Sequence, residues 1–143
     1  MNGINPDAII VYLGTNDWAV GVDTGNETHI LDEKADEEFF ALAYASMLRK
    51  LRRNYPQSEI WCCTMCETCI VSRPDFIFPH RYAGIHIEEY NEIIRTTSRL
   101  NSCKLIDLYA YQKPYETLDG THPTCKGMDI IAEIVIQEML QEE

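Results

Sequence analysis

An unbroken apolar run, Ala8-Ile9-Ile10-Val11-Tyr12-Leu13, stands near the start of the chain. A run of this length that does not alternate with polar residues is typical of a parallel strand buried on both faces. Amphipathic stretches and shorter apolar runs then alternate along the rest of the chain. This order favours a parallel sheet covered by helices over an antiparallel meander, so the sequence predicts an α/β fold.

The spacing of apolar residues sets the remaining elements. An apolar stripe over about 36–53 predicts a helix that Pro56 ends. The other predicted elements are a strand over 59–65, a helix over about 87–100, a strand over 103–109 and a helix that follows Pro123 and runs to about 141. Two stretches are predicted to be loops near a site: the polar residues 20–34 and the aromatic-rich residues 72–82.

The length of the chain and its net charge limit the functions that it can have. With 143 residues, 45% of them apolar, the chain is predicted to form one domain over 1–143. Its net charge of -11 would repel nucleic acid and anionic membranes. There is no run of about 18 apolar residues and no signal-peptide pattern, so we expect no membrane span and a cytoplasmic location, unless a leader precedes Met1.

Six cysteines include Cys63, Cys66 and Cys69, whose spacing invites a metal interpretation. Structural zinc sites combine two ligand pairs separated by a longer loop, and the sequence holds no second pair with that spacing. Cys62 and Cys63 fall inside a predicted buried strand, where cysteine acts as a small hydrophobe. We therefore expect no metal and no cofactor.

Three polar residues at the ends of predicted elements are suited to acyl transfer. Asn16 follows the first strand, and Asp119 stands three residues before His122 on a turn that Pro123 constrains. A carboxylate at that spacing can orient an imidazole as a base, and an amide at a strand's carboxyl end can face a substrate carbonyl. The alternatives are a turn asparagine and an ordinary helix cap with an exposed histidine.

Two blocks, Gly14-Thr15-Asn16-Asp17 and Asp119-Gly120-Thr121-His122-Pro123, resemble signature blocks of the SGNH (GDSL-type) hydrolases. Segments between them also resemble the family in order and spacing. These segments are Tyr55-Pro56, Tyr90-Asn91 and Leu105-Ile106-Asp107-Leu108-Tyr109. The resemblance implies a flavodoxin-like three-layer α/β/α fold with a parallel sheet.

The resemblance also implies roles for single residues. It makes His122 the base, Asp119 the group that orients it and Asn16 an oxyanion donor, while Gly14 and Asp17 support the loop. The family's nucleophile sits in a Gly-Asp-Ser block on the first strand, and this chain contains no such tripeptide. The resemblance therefore predicts the C-terminal part of an ester hydrolase, without its first two strand-helix units, that acts on a small-molecule ester: an O-acyl ester or a short-chain lipid.

Two further expectations remain open. The chain could instead be a non-catalytic binding module that kept the scaffold and lost the nucleophile. In the flavodoxin-like strand order 2-1-3-4-5, the strand at 8–13 is the third and normally pairs with the first. Without that partner its free edge predicts a homodimer that buries Ile9 and Val11.

Overall fold

A computed structural model describes residues 5–31 and 38–141. Two predictions extend into residues 32–37, which lie outside the described residues. They are the end of the loop predicted over 20–34 and the start of the helix predicted over about 36–53. The first half of the described chain contains β1 (Ala8–Val11), α1 (Thr15–Val20), α2 (Glu27–Leu31), α3 (Phe40–Asn54), β2 (Glu59–Cys63) and β3 (Thr68–Ile70). The second half contains β4 (Arg81–Tyr82), β5 (Ile85–His86), α4 (Ile87–Leu100), β6 (Lys104–Ile106), β7 (Tyr115–Thr117) and α5 (Cys125–Gln141).

Three parallel strands in the order β1-β2-β6 form the main sheet. A second parallel pair, β3 and β7, continues from the loops at the carboxyl ends of β2 and β6, and β4 and β5 form a short hairpin. The parallel pairing and the covering helices confirm the predicted α/β fold. No helix in the described ranges is both long enough and apolar enough to cross a bilayer.

Both faces of the central strand are buried, and this produces three layers. Ile60 and Cys62 pack against α3 and α4 on one face, whereas Trp61 and Cys63 pack against α5 on the other. Gly127 lets α5 approach β7 closely, because a Cβ there would come within 2.1 Å of the Glu116 carbonyl oxygen. The close approach holds the turn before α5 against the sheet.

The first strand differs from its prediction. β1 ends at Val11 rather than Leu13, and in the described part of the chain it pairs only with β2. Val11 is buried, but Ile10 is 49% exposed and Leu13 is 54% exposed. The prediction of burial on both faces was wrong because α5 packs over β2, β6 and β7 and leaves part of the edge strand uncovered.

Long-range pairing changed several other boundaries. The predicted loop over 20–34 contains α2, which anchors itself through the fully buried Ile30. The strand predicted over 103–109 is β6 followed by a 3-10 turn over Leu108–Tyr111. Strands β3 and β7 were not predicted, because three-residue strands carry too little pattern to detect. The predicted helices over 87–100 and after Pro123 are present as α4 and α5.

Candidate active site

The loop after β1 depends on a glycine. Gly14 has a φ of 122°, a conformation that side chains rarely adopt, and a Cβ there would lie 3.2 Å from Phe40 and 3.3 Å from the Met65 sulfur. The chain can therefore turn from β1 directly into α1. This places Asn16, which is exposed, in the first turn of that helix. Asp17 contributes through its backbone, since its carbonyl accepts a hydrogen bond from the Tyr90 hydroxyl at 3.2 Å.

The second candidate element is the turn between β7 and α5. Asp119 Oδ1 accepts hydrogen bonds from the backbone N–H groups of Thr121 and His122 at 3.0 and 2.9 Å. Its other oxygen, Oδ2, lies 2.8 Å from His122 Nδ1. The distance agrees with the contact expected from the sequence, while the catalytic roles of the two residues stay predictions.

Hydrogen bonds define the protonation state of the Asp119 carboxyl group. The His122 backbone N–H, then the His122 ring and then the Thr121 N–H lower the pKa of Asp119 to about 2. The carboxylate is therefore ionised at neutral pH and can only accept hydrogen bonds, so a neutral His122 carries its proton on Nδ1. Its Nε2 is then the nitrogen able to take up a proton.

The loop after β1 and the turn between β7 and α5 border the same cleft. Thr15 from the start of α1 and Gly120 and Thr121 from the Asp119–His122 turn line the same cleft. Asn16 and His122 are thus the immediate chain neighbours of residues on its walls. Within the described ranges no hydrogen bond joins Asn16 to Asp119 or His122. The structure therefore brings the acid and the base into contact and leaves Asn16 one residue away from a wall of the cleft.

A buried asparagine that sequence reasoning gave no role supports this cleft. Asn91 is fully buried on α4; its Oδ1 accepts from the Met65 N–H and its Nδ2 donates to the Met65 carbonyl, both at 2.9 Å. The sequence contained an indication of this role, because Asn91 lies four residues after Ile87 on the apolar face of a predicted helix. A polar residue there must find a buried partner.

A second, partly buried network joins the loops that follow β2 and β6. Asp107 accepts from the Thr64 hydroxyl at 2.8 Å and from the guanidinium of Arg95 at 2.9 and 3.2 Å. The Thr64 hydroxyl in turn accepts from the Tyr109 N–H at 3.1 Å. The segments that follow β2 and β6 are therefore tied to each other and to α4.

Two other histidines lie in or next to the β4–β5 hairpin and contact acidic residues or the start of α4. His86 is half-buried and begins α4: its Nδ1 accepts from the Glu88 N–H, and the Glu89 side chain accepts from the His86 N–H. His80 lies 3.7 Å from a Glu67 carboxylate oxygen. The His86 contacts are local to the start of α4, whereas the His80 contact joins two loops.

The cysteines occupy the positions of small hydrophobes. Cys62, Cys63 and Cys66 are buried. Burial raises the pKa of Cys63 and of Cys66 to about 12. In the part of the chain that the structure describes, no three metal-ligating side chains come together.

Comparison with known proteins assigns the family. The model of the GDSL-like lipase/acylhydrolase family matches residues 1–130. The match spans most of the chain, and the chain therefore belongs to the GDSL-like lipase/acylhydrolase family.

Individual proteins are similar to this chain in sequence or in fold. A 58-residue stretch, 41% of this chain, is 33% identical to a cellulase/esterase, CelE, from Acetivibrio thermocellus, and it covers 6% of that protein. A possible lipase from Chitinophaga pinensis superposes with a TM-score of 0.77 at 20% identity, over 98% of this chain and 74% of that one. A GDSL-like lipase from Bacteroides thetaiotaomicron superposes with a TM-score of 0.61 at 20% identity, over 96% of this chain and 64% of that one.

Proposed function

We propose that the chain is the C-terminal part of an SGNH-type ester hydrolase that cleaves an O-acyl ester, or a short-chain lipid ester, by Ser-His-Asp acyl transfer. In this proposal His122 is the base, Asp119 orients it and Asn16 donates to the oxyanion. The observation that carries the proposal is the 2.8 Å contact between His122 Nδ1 and Asp119 Oδ2, on a turn that borders a cleft. Membership of the hydrolase family supports it.

The chemistry follows from the ionised Asp119 carboxylate and its contact with the His122 ring. His122 Nε2 accepts the proton of a serine hydroxyl while the serine oxygen attacks the ester carbonyl carbon. Asp119 stabilises the imidazolium that forms. The proton then passes to the leaving alcohol oxygen as the ester bond breaks, and water completes the cycle through the same base. The Asn16 amide supplies a donor to the tetrahedral oxyanion.

The nucleophile in this proposal comes from a Gly-Asp-Ser block that the 143 residues do not contain. The serines present are poor substitutes. Ser58 and Ser98 are buried and donate to the carbonyls of Pro6 and Ile94. Ser46 lies inside α3, Ser102 follows α4 and Ser72 lies in the aromatic-rich loop.

A non-catalytic binding module is the second candidate function. The sequence lacks the Gly-Asp-Ser tripeptide, and the side chains of Asp119 and His122 are 56% and 75% exposed. Such exposure weakens the electrostatic coupling on which a catalytic pair depends. The two candidates differ in whether His122 matters for turnover.

The test compares the 143-residue chain with a chain extended upstream to a Gly-Asp-Ser block, with p-nitrophenyl acetate as substrate. We expect negligible turnover by the short chain and clear turnover by the extended one. In the extended chain, His122→Ala should lower kcat by about 10³-fold or more, and Asn16→Ala by about 10²-fold.

The matched control is His29→Ala, which removes an imidazole on α2 outside the cleft and should leave kcat unchanged. Turnover by the short chain that His122→Ala abolishes would show that a serine or cysteine of this chain is the nucleophile. An extended chain that stays inactive would favour the binding module.

A further inference from the structure

Two cysteines meet on the face of the sheet that α3 and α4 cover. Cys62 lies on β2, and Cys103 directly precedes β6, the strand that pairs with β2. Because Cys62 is aligned with Leu105, Cys103 lies two residues from that position on the same face of the sheet. Both cysteines belong to one core cluster, and the strongest electrostatic interaction of each thiol is with the other. The six cysteines are free thiols, so this pair is a dithiol.

The surroundings of Cys62 suit a thiolate. In the part of the chain that the structure describes, the Tyr44 hydroxyl on α3 is buried and has no hydrogen-bond partner. It faces the Cys62 sulfur, which, after burial itself, is the main reason that the pKa of Tyr44 is raised. The Arg52 guanidinium lies near both sulfurs. A buried hydroxyl needs an acceptor, and a Cys62 thiolate would provide one beside a positive charge.

The pair also differs from the other buried cysteines in its protonation. The interaction with the Cys103 S–H lowers the pKa of Cys62 to about 7, whereas burial raises the pKa of the adjacent Cys63 to about 12. The interaction with Cys62 raises the pKa of Cys103, whose S–H has a second acceptor in the Asn101 carbonyl oxygen at 3.6 Å. Coupled thiols lose their protons in two steps that belong to the pair. The first step leaves a thiolate on Cys62 and a proton on Cys103.

Cys103 is the member of the pair that reaches the surface. Cys62 is 0% exposed, whereas the half-buried Cys103 lines an open groove beside α4 with a volume of about 580 Å³. The other lining residues are Glu92, Arg95, Thr96, Arg99 and Leu105. A groove of this size accepts a small organic molecule. A reaction of the dithiol with such a molecule therefore begins at Cys103 and is completed by Cys62.

We propose that Cys62 and Cys103 form a thiol–disulfide exchange site, which a low-molecular-weight disulfide bound in this groove converts into a reversible intramolecular disulfide. The proposal goes beyond the proposed function and does not depend on it. It adds a modification site on β2 and β6 that involves none of the residues proposed for ester hydrolysis.

The exchange proceeds in two steps. The Cys103 sulfur attacks one sulfur of the small disulfide while its proton passes to the Cys62 thiolate, and one small thiolate leaves. The Cys62 S–H then gives its proton to that thiolate, and the Cys62 sulfur attacks the Cys103 sulfur, which releases the second thiolate. The two protein sulfurs lose two electrons, and the small disulfide is reduced to one thiol and one thiolate.

The test exposes the 143-residue chain to glutathione disulfide, stops the exchange with acid and maps the products by mass spectrometry of peptides. We expect a Cys62–Cys103 disulfide as the main product. Its rate of formation should rise by about tenfold between pH 6 and pH 8, as for a group with a pKa of about 7, whereas a thiol with the ordinary pKa of about 8.5 gains roughly 75-fold.

Three variants identify the role of each sulfur. Cys62→Ala should stop the exchange at a glutathione mixed disulfide on Cys103 and should give the steeper pH dependence of an ordinary thiol. Cys103→Ala should leave Cys62 unmodified. Cys63→Ala is the matched control, because Cys63 is the next residue, is equally buried and packs on the opposite face of the sheet, so the product and its rate should not change.

Two results would overturn the proposal. The first is glutathione on the exposed Cys125 or the half-buried Cys69 while Cys62 and Cys103 stay unmodified. The second is a Cys62–Cys103 disulfide that forms equally fast in urea, because the native arrangement would then contribute nothing. Neither result bears on whether the extended chain is an esterase.

Discussion

At the scale of single residues, Asn91 shows how much one buried side chain can determine. Its amide makes both of its hydrogen bonds to the backbone of Met65. Asn91→Ala would leave a buried N–H and a buried carbonyl without partners, and each such group costs about 1–3 kcal/mol. We expect Asn91→Ala to lower the free energy of unfolding by about 2–4 kcal/mol, measured by urea denaturation.

The control for this prediction is Asn101→Ala. Asn101 is half-buried at the end of α4, and its side chain donates one hydrogen bond, to the Thr97 carbonyl at 2.8 Å. Its removal should cost about 1 kcal/mol or less. Equal losses for the two variants would mean that the bonds between Asn91 and Met65 do not stabilise the fold.

At the scale of elements, Arg95 and Asp107 join α4 to the segment after β6. Burial opposes ionisation of Asp107, but its hydrogen bonds with Arg95 and Thr64 outweigh that effect and lower its pKa. A carboxyl group whose pKa is lowered by folding stabilises the fold above its unfolded pKa of about 3.9. The contribution is lost as the pH falls through the lowered, folded-state pKa.

We therefore expect Asp107→Asn to lower the free energy of unfolding at pH 7 by about 1.5–3 kcal/mol. The difference from the wild type should shrink as the pH falls from about 4, where Asp107 of the unfolded chain takes up a proton, through the lowered folded-state pKa. Denaturation curves between pH 3 and pH 7 measure both effects.

Glu92→Gln is the matched control, because Glu92 contacts the same Arg95 but is 68% exposed. This substitution should change the free energy of unfolding by about 0.5 kcal/mol or less. A pH-independent loss in Asp107→Asn would argue against this linkage.

At the scale of the whole molecule, the free edge of β1 is the feature with the largest consequence. Strand edges expose N–H and carbonyl groups that attract another strand. The homodimer stays a prediction, and the structure changes the residues expected at its contact. Val11 already lies in the core, so Ile10 and Leu13 are the apolar residues available to a second copy.

We expect light scattering at low micromolar concentration to show a dimer that salt strengthens, because each copy carries a net charge of -11 and salt screens their repulsion. Ile10→Lys should yield a monomer, since a charge on an edge strand opposes pairing. Ile77→Lys is the control, because Ile77 is 85% exposed in a loop and should leave the dimer intact. A wild-type monomer at all salt concentrations would contradict the prediction.

Features that depend on one element could be predicted from the sequence, whereas features that depend on contacts between distant segments could not. The alternation of apolar runs and amphipathic stretches was sufficient to predict the α/β fold, because each pattern is read within one element. The contact between Asp119 and His122 was predictable for the same reason, since side chains three residues apart on one turn can reach each other. The cleft, the bonds between Asn91 and Met65 across 26 residues, and the pairing of β3 with β7 depend on chain segments that meet only after folding. The exposure of Ile10 likewise depends on where α5 packs, so the three-dimensional arrangement alone determines which part of an apolar strand remains open to a partner.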